Sequence, residues 1–181
     1  YVTTQVREAM SESPTVEVLV AVNSLAQKDC PVAEGFHDWF AEWEKAPAFV
    51  RPEEVNVNED TMLMYFTSGT SGEPKMVAHD HLYALGHLVT GVFWHNLDED
   101  SIHLTVADTG WGKAVWGKLY GQWFAGATVF VYDHEKFSAE KIMRMMEKYR
   151  ITSFCAPPTI YRFMLQEDFS QYDLSALKYC T

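Results

Sequence analysis

The chain of 181 residues is short of several features that would settle its class at a glance. No apolar run approaches the roughly 20 residues that a membrane-spanning helix requires, and no basic-then-apolar stretch opens the chain, so a soluble cytoplasmic protein is expected. Cysteine is scarce. Cys30, Cys155 and Cys180 are odd in number, far apart and without a C-x-x-C pair, which argues against a disulfide framework or a zinc site and fits a reducing compartment. Positive charge is also short: 14 Lys and Arg stand against 25 Asp and Glu, for a net charge of -11. Without a basic stripe, neither nucleic acid nor an anionic membrane surface is expected as a partner. Internal repeats and low-complexity tracts are absent as well. What the chain does have is apolar: 48% hydrophobic and 14% aromatic residues support a sizeable core and one well-buried domain.

Along the chain, "TVEVLVAV" (Thr15 to Val22) is short, β-branched and apolar, and reads as a buried strand. In "EGFHDWFAEWEKA", Phe36, Trp39, Phe40 and Trp43 recur at helical spacing, which predicts an amphipathic helix ended by Pro47 with its tryptophans in a core. "RPEEVNVNED" is a polar, acidic connection. From Thr61 the pattern becomes regular: "TMLMYFT" is a strand candidate and "KMVAH" a short one, and Asp80 caps a helix over "DHLYALGHLVTGVFW". "SIHLTVA" is a strand, "KAVWGKLYGQWFAG" a helix closed by Gly126, and "ATVFVYD" a further strand. "SAEKIMRMMEKYR" places Ile142, Met145, Met146 and Tyr149 on one helix face behind a Ser138 cap, ahead of the strand "ITSFCA". This alternation predicts an α/β fold, a layered α/β/α sandwich with a largely parallel sheet. Residues 1–60 are expected to be a lead-in and 61–181 an α/β core. The start at Tyr1 and the stop at "LSALKYCT", which reads as the opening of a strand, suggest a piece of a longer protein.

Between the first two strands of that core lies "TSGTSGEPK". Its glycines let backbone N–H groups converge, Thr67, Ser68, Thr70 and Ser71 add hydroxyl donors, and Lys75 behind Pro74 adds charge, a composition suited to a polyphosphate. It is neither the G-x-x-x-x-G-K-[ST] loop nor the G-x-G-x-x-G fingerprint. His79, His81 and His87 are nearby, but no two are spaced i, i+3 or i, i+4, so surface or capping roles are expected for them and not a metal site. "NEDTM" and "NLDED" read as solvated turns.

The loop resembles the phosphate-binding signature Y-T-S-G-[ST]-[ST]-G-x-P-K-G of the adenylate-forming superfamily. Tyr65, Thr67, Ser68, Gly69, Thr70, Ser71, Gly72, Pro74 and Lys75 match it in order, with Phe66 inserted and Met76 where many members have Gly. A second segment is similar to the D-x-G-W, helix, W-x-x-G-x-x-x-F region of short- and medium-chain acyl-CoA synthetases, through Asp108, Gly110, Trp111, Trp123, Gly126 and Phe130. "FCAPPTIYRFML" also looks like the family's following strand and helix. The resemblance implies part of the large N-terminal domain of an AMP-forming acyl-CoA synthetase, with ATP, CoA and a carboxylic acid as substrates and Mg²⁺ as cofactor.

By the same resemblance, Thr67, Ser68, Gly69, Thr70, Ser71, Gly72 and Lys75 would hold the ATP phosphates, and Trp111 would border the acyl and adenylate pocket. The alternative for Trp111 is a buried structural aromatic, behind the pocket role, and Asp108 could equally be a cap or turn residue. The family's Mg²⁺-binding Glu, ribose-binding Asp and catalytic Lys would lie beyond Thr181, so no catalytic residue is assignable here and the piece alone is expected to be inactive. An enzyme loading a carrier-protein thiol and a noncatalytic nucleotide-binding module are the alternatives.

Overall fold

The computed structural model describes residues 2–68, 72–134 and 136–181. The chain divides into two compact units, Tyr1–Glu54 and Val55–Thr181.

The first unit opens with a helix that the apolar spacing did not announce, α1 (Val2–Met10). β1 (Val20–Ala21) pairs in parallel with β2 (His37–Asp38), and α2 (Trp39–Lys45) follows at once. The Asp38 carboxylate caps α2 by accepting from the Phe40 N–H at 2.9 Å. Two expectations fail here. The strand foreseen over Thr15 to Val22 shrinks to two residues, with Val16, Val18, Val20 and Val22 all exposed, and Trp39 and Trp43 are exposed instead of forming a core. The periodicity was read correctly, but β1 has a single two-residue neighbour, so within this unit its β-branched side chains have no surface to bury against. The two indoles lie against each other instead, ring centres 5.9 Å apart.

The second unit begins with β3 (Thr61–Thr67) and β4 (Lys75–Asp80), an antiparallel hairpin separate from the parallel sheet. Asp80 starts α3 (Leu82–Gly86) as the sequence predicts, its Oδ1 accepting from the Leu82 and Tyr83 N–H groups at 3.0 and 3.2 Å. A π turn, Thr90–Trp94, continues this run. After β5 (Ile102–Thr105) comes a helical run made of α4 (Gly112–Val115), a second π turn (Trp116–Tyr120) and α5 (Gly121–Phe124). It closes at Gly126, whose φ of 74° suits glycine. β6 (Thr128–Phe130), α6 (Ala139–Lys148), β7 (Ser153–Cys155), α7 (Pro158–Met164) and β8 (Tyr179–Cys180) complete the alternation.

The sheet is parallel throughout, in the order β6-β5-β7-β8. The chain steps from β5 to β6 on one side, then crosses back over β5 to β7. Right-handed crossovers in opposite directions put the 112–124 run and α6 on opposite faces, which is how a parallel sheet is covered twice.

Strand alternation gives those faces different chemistry. Leu104 and Phe154 join Ile142, Met143, Met146, Ile151 and Met164 in the apolar core. The buried stripe of α6 is therefore Ala139, Ile142, Met143 and Met146, not the expected one through Met145 and Tyr149. Both stripes have helical spacing and share two residues; contact with Leu104 and Phe154 selects between them. Ser138 caps this helix as expected, its Oγ accepting from the Lys141 N–H at 3.3 Å.

The opposite face carries His103, Thr105 and Ser153, all buried. Thr105 gives its hydroxyl proton to the Gly117 carbonyl, so it accepts from His103 Nε2–H at 2.7 Å. His103 Nδ1 lies 2.9 Å from the Ser153 hydroxyl, which also reaches the His95 carbonyl at 3.3 Å. Gln122 also donates to the Gly117 carbonyl, at 2.7 Å. His95, buried beside His103 with ring centres 4.7 Å apart, has Nδ1 3.2 Å from Thr181 Oγ1.

The helical runs 82–94 and 112–124 meet backbone to backbone. A Cβ on Gly91 would lie 2.2 Å from the Gly121 carbonyl oxygen, so this crossing exists only because both positions are glycine. Gly91→Ala is expected to cost at least ~2 kcal/mol by overpacking, read as a lower urea midpoint; an unchanged midpoint would remove the contact.

A second expectation concerns acid. Burial pushes His103 down to about 3, with His95 adding to the effect, and pushes His95 down to about 4, with Lys113 adding. Unfolded imidazoles take up protons near 6.5 that the folded ones refuse, so stability is full above that value and falls as pH drops toward 4. The slope approaches about 1.4 kcal/mol per pH unit for each histidine. Urea unfolding at pH 7 and pH 5 checks this, and equal stability at the two would contradict it.

Candidate functional site

Thr67 is the last residue of β3 and Lys75 the first of β4, and the two face each other in register. The hairpin thus makes a rigid base for the loop, with a hydroxyl on one stem and an ammonium on the other. Ser68 follows Thr67. Gly69, Thr70 and Ser71 lie outside the described residues. Gly72 has a φ of 111°, a conformation that side-chain-bearing residues rarely adopt, and open space where a Cβ would be. Lys75 is exposed, and among the described residues it enters no ion pair.

Trp111 is 70% exposed in this chain. It precedes α4 at the end of a turn in which Asp108 Oδ1 accepts from the Gly110 N–H at 2.7 Å and the Trp111 N–H donates to the Asp108 carbonyl at 3.1 Å. Asp108 is therefore the turn residue of its segment. A cleft of about 490 Å³ opens between this turn and the hairpin. Tyr65, Phe66, Thr67 and Ser68 form one wall, and Gly110, Trp111 and Gly112 the other. The structure so brings Thr67, Ser68 and Trp111 together, while Gly72 and Lys75 are not in this wall.

A run of rings in contact, mostly edge-on or tilted, supports the hairpin wall. Tyr65 lies against His79 (5.7 Å), His79 against Tyr83 (4.2 Å), Tyr83 against His87 (4.6 Å) and His87 against Trp116 (5.7 Å). Burial, with the neighbouring Tyr65 phenol, pushes Tyr83 up to about 12, and burial holds His87 below the usual histidine range, with His79 adding to the effect. His79 and His87 are thus rungs of an aromatic support. The sequence reading saw no direct pairing between them because the link runs through Tyr83, four residues from each.

Trp111 also borders a more apolar cleft of about 480 Å³ beyond the carboxyl ends of β5 and β7, with Val106, Ala107, Pro157 and Ile160 among its walls. Here the strand order reverses direction, the place where parallel α/β sheets receive ligands. Among the described residues no group of three His, Cys, Asp or Glu side chains is placed to hold a metal ion.

The family model for AMP-binding enzymes matches residues 2–181. The chain belongs to this family. Over 124 residues this AMP-binding enzyme chain is 40% identical to the mitochondrial acyl-coenzyme A synthetase ACSM3 of Homo sapiens, a match covering 68% of the chain and 21% of that protein. It is also 40% identical over 124 residues to the mitochondrial acyl-coenzyme A synthetase ACSM5 of Homo sapiens, with the same coverage. The chain thus spans about a fifth of the length of the curated relatives it matches. Among solved structures, the anthranilate CoA ligase AuaEII in complex with anthranoyl-AMP superposes with a TM-score of 0.79 at 26% identity, covering 97% of this chain and 33% of that one.

The sequence reading passed over Lys118, on the second π turn. The only signal for it was a lysine in the middle of a mainly apolar, glycine-rich helical run.

Proposed function

We propose that the protein carrying this AMP-binding chain is an AMP-forming acyl-CoA synthetase. The observation that carries this reading is the 40% identity to proteins named acyl-coenzyme A synthetases. The cleft between the loop stem and Trp111 supports it. A carboxylate is a poor acyl donor because its leaving group would be oxide. Its oxygen attacks the ATP α-phosphorus, the bond to the bridging oxygen breaks and pyrophosphate leaves; the CoA thiolate then attacks the acyl carbon of the adenylate and AMP departs.

This chain's part is to hold the departing pyrophosphate. Thr67, Ser68, Thr70 and Ser71 donate hydroxyl hydrogen bonds, Gly69 and Gly72 admit backbone amides, and Lys75 answers the charge that develops on the leaving group. Trp111 borders the acid and its adenylate. Mg²⁺ is expected with the nucleotide, as in the family resemblance. The relatives' names favour CoA over a carrier-protein thiol as acceptor and favour an enzyme over a noncatalytic module.

A cytoplasmic setting belongs to the same reading, supported by three cysteines without disulfides, although the relatives' names place those proteins in mitochondria. No helix among the described residues is long and apolar enough to cross a membrane.

In the complete protein, Lys75→Ala is expected to lower carboxylate-dependent exchange of pyrophosphate into ATP about 10- to 100-fold, with an unchanged urea midpoint because the residue is exposed. Undiminished exchange would take Lys75 out of the phosphate site. Trp111→Ala is expected to alter the rank order of accepted acids in an assay running from acetate to octanoate and benzoate; an identical order would remove Trp111 from the acid pocket.

A further inference from the structure

Beyond the carboxyl ends of β5 and β6 lies another cavity, of about 220 Å³. Its walls are mainly apolar, including Leu104, Val106 and Ile142, and Tyr132 and His134 add stacked rings with centres 5.3 Å apart. Lys118 reaches it from the second π turn. This lysine is half-buried, burial holds its ammonium below the usual lysine range, and among the described residues no ion pair compensates it. Asp108, the acidic residue in the lining, has Oδ1 engaged by the Gly110 N–H at 2.7 Å. Asp108 belongs to the turn that carries Trp111, so the cavity adjoins the region where the reacting carboxylate is placed above.

The half-buried Lys118 ammonium forms no ion pair among the described residues, Asp108 being held in its own turn, and a ligand carboxylate would give it a partner. At roughly 30 Å³ for each water-sized position, the cavity of about 220 Å³ has room for a carboxylate and a short methylene tail. Resting on the acyl-CoA synthetase reading, we propose that Lys118 is a specificity-determining residue that receives the distal carboxylate of a short dicarboxylic acid while the other carboxylate is adenylated.

The test uses the complete protein and pyrophosphate exchange with glutarate and adipate against valerate and hexanoate, for the wild type, Lys118→Met and Lys118→Arg. The ratio of kcat/KM for dicarboxylic over monocarboxylic acids is expected to fall about 10- to 100-fold in Lys118→Met, the size of a lost charged hydrogen bond, and to be largely kept in Lys118→Arg. Thermal unfolding should show Lys118→Met folded, with an equal or higher midpoint. A wild type that prefers valerate and hexanoate, with a ratio unmoved in Lys118→Met, overturns the proposal. Exchange with no acid at all would instead defeat the acyl-CoA synthetase reading. The cavity is then judged by glutarate titration followed through the amide resonances of Val106, Tyr132 and His134: shifts present in the wild type and lost in Lys118→Met sustain the anion site, and absence of shifts in the wild type overturns it.

Discussion

The second unit is organised around one buried imidazole. His103 ties β5 to β7 through Ser153, and through Thr105 it ties the sheet to the Gly117 carbonyl of the helical run above it. Hydrophobic contact holds the α6 face but is indifferent to small slips in position. Directed hydrogen bonds are not, and a polar group left unpaired at this depth would cost more than the bond itself returns. The polar face therefore sets where the 112–124 run sits along β5, and with it the position of the turn that presents Trp111.

The cleft follows from that placement. One wall is the end of a hairpin whose two stems bring a hydroxyl and an ammonium into register, and the other is a turn closed by Asp108. Both walls belong to one unit, and a chain of five rings in contact runs from Tyr65 in one wall to Trp116 in the helical run behind the other. In a chain of net charge -11, two lysines near these cavities keep no ion-pair partner among the described residues. Overall acidity is thus no guide to what the site attracts; local uncompensated charge is.

Much of the second unit was legible in advance, since its strands and helices announce themselves by period and by caps such as Asp80, Ser138 and Gly126. The loop was legible through the order of its Gly, Ser, Thr and Lys residues. What stayed hidden depends on partners distant in sequence. Nothing local says that Met143 turns inward while Tyr149 stays half-exposed against Phe130, or that the valines of Thr15 to Val22 lack a covering layer. Period reports which residues could share a face, and only tertiary contact reports whether that face is covered. The polar sheet face was invisible for the same reason: His103 in "SIHLTVA" looks like an outward residue of an alternating strand, and becomes central only when Ser153 and Gly117 arrive beside it.

The glycine crossing has a consequence for motion. With Gly91 and Gly121 in backbone contact, the two helical runs have no compressible side-chain layer between them and move as one block. The Trp111 wall is anchored to that block, whereas the opposite wall, Tyr65 to Ser68, belongs to a two-stranded ribbon held by ring contacts. Of the two walls, the one carrying Trp111 is therefore the more firmly fixed.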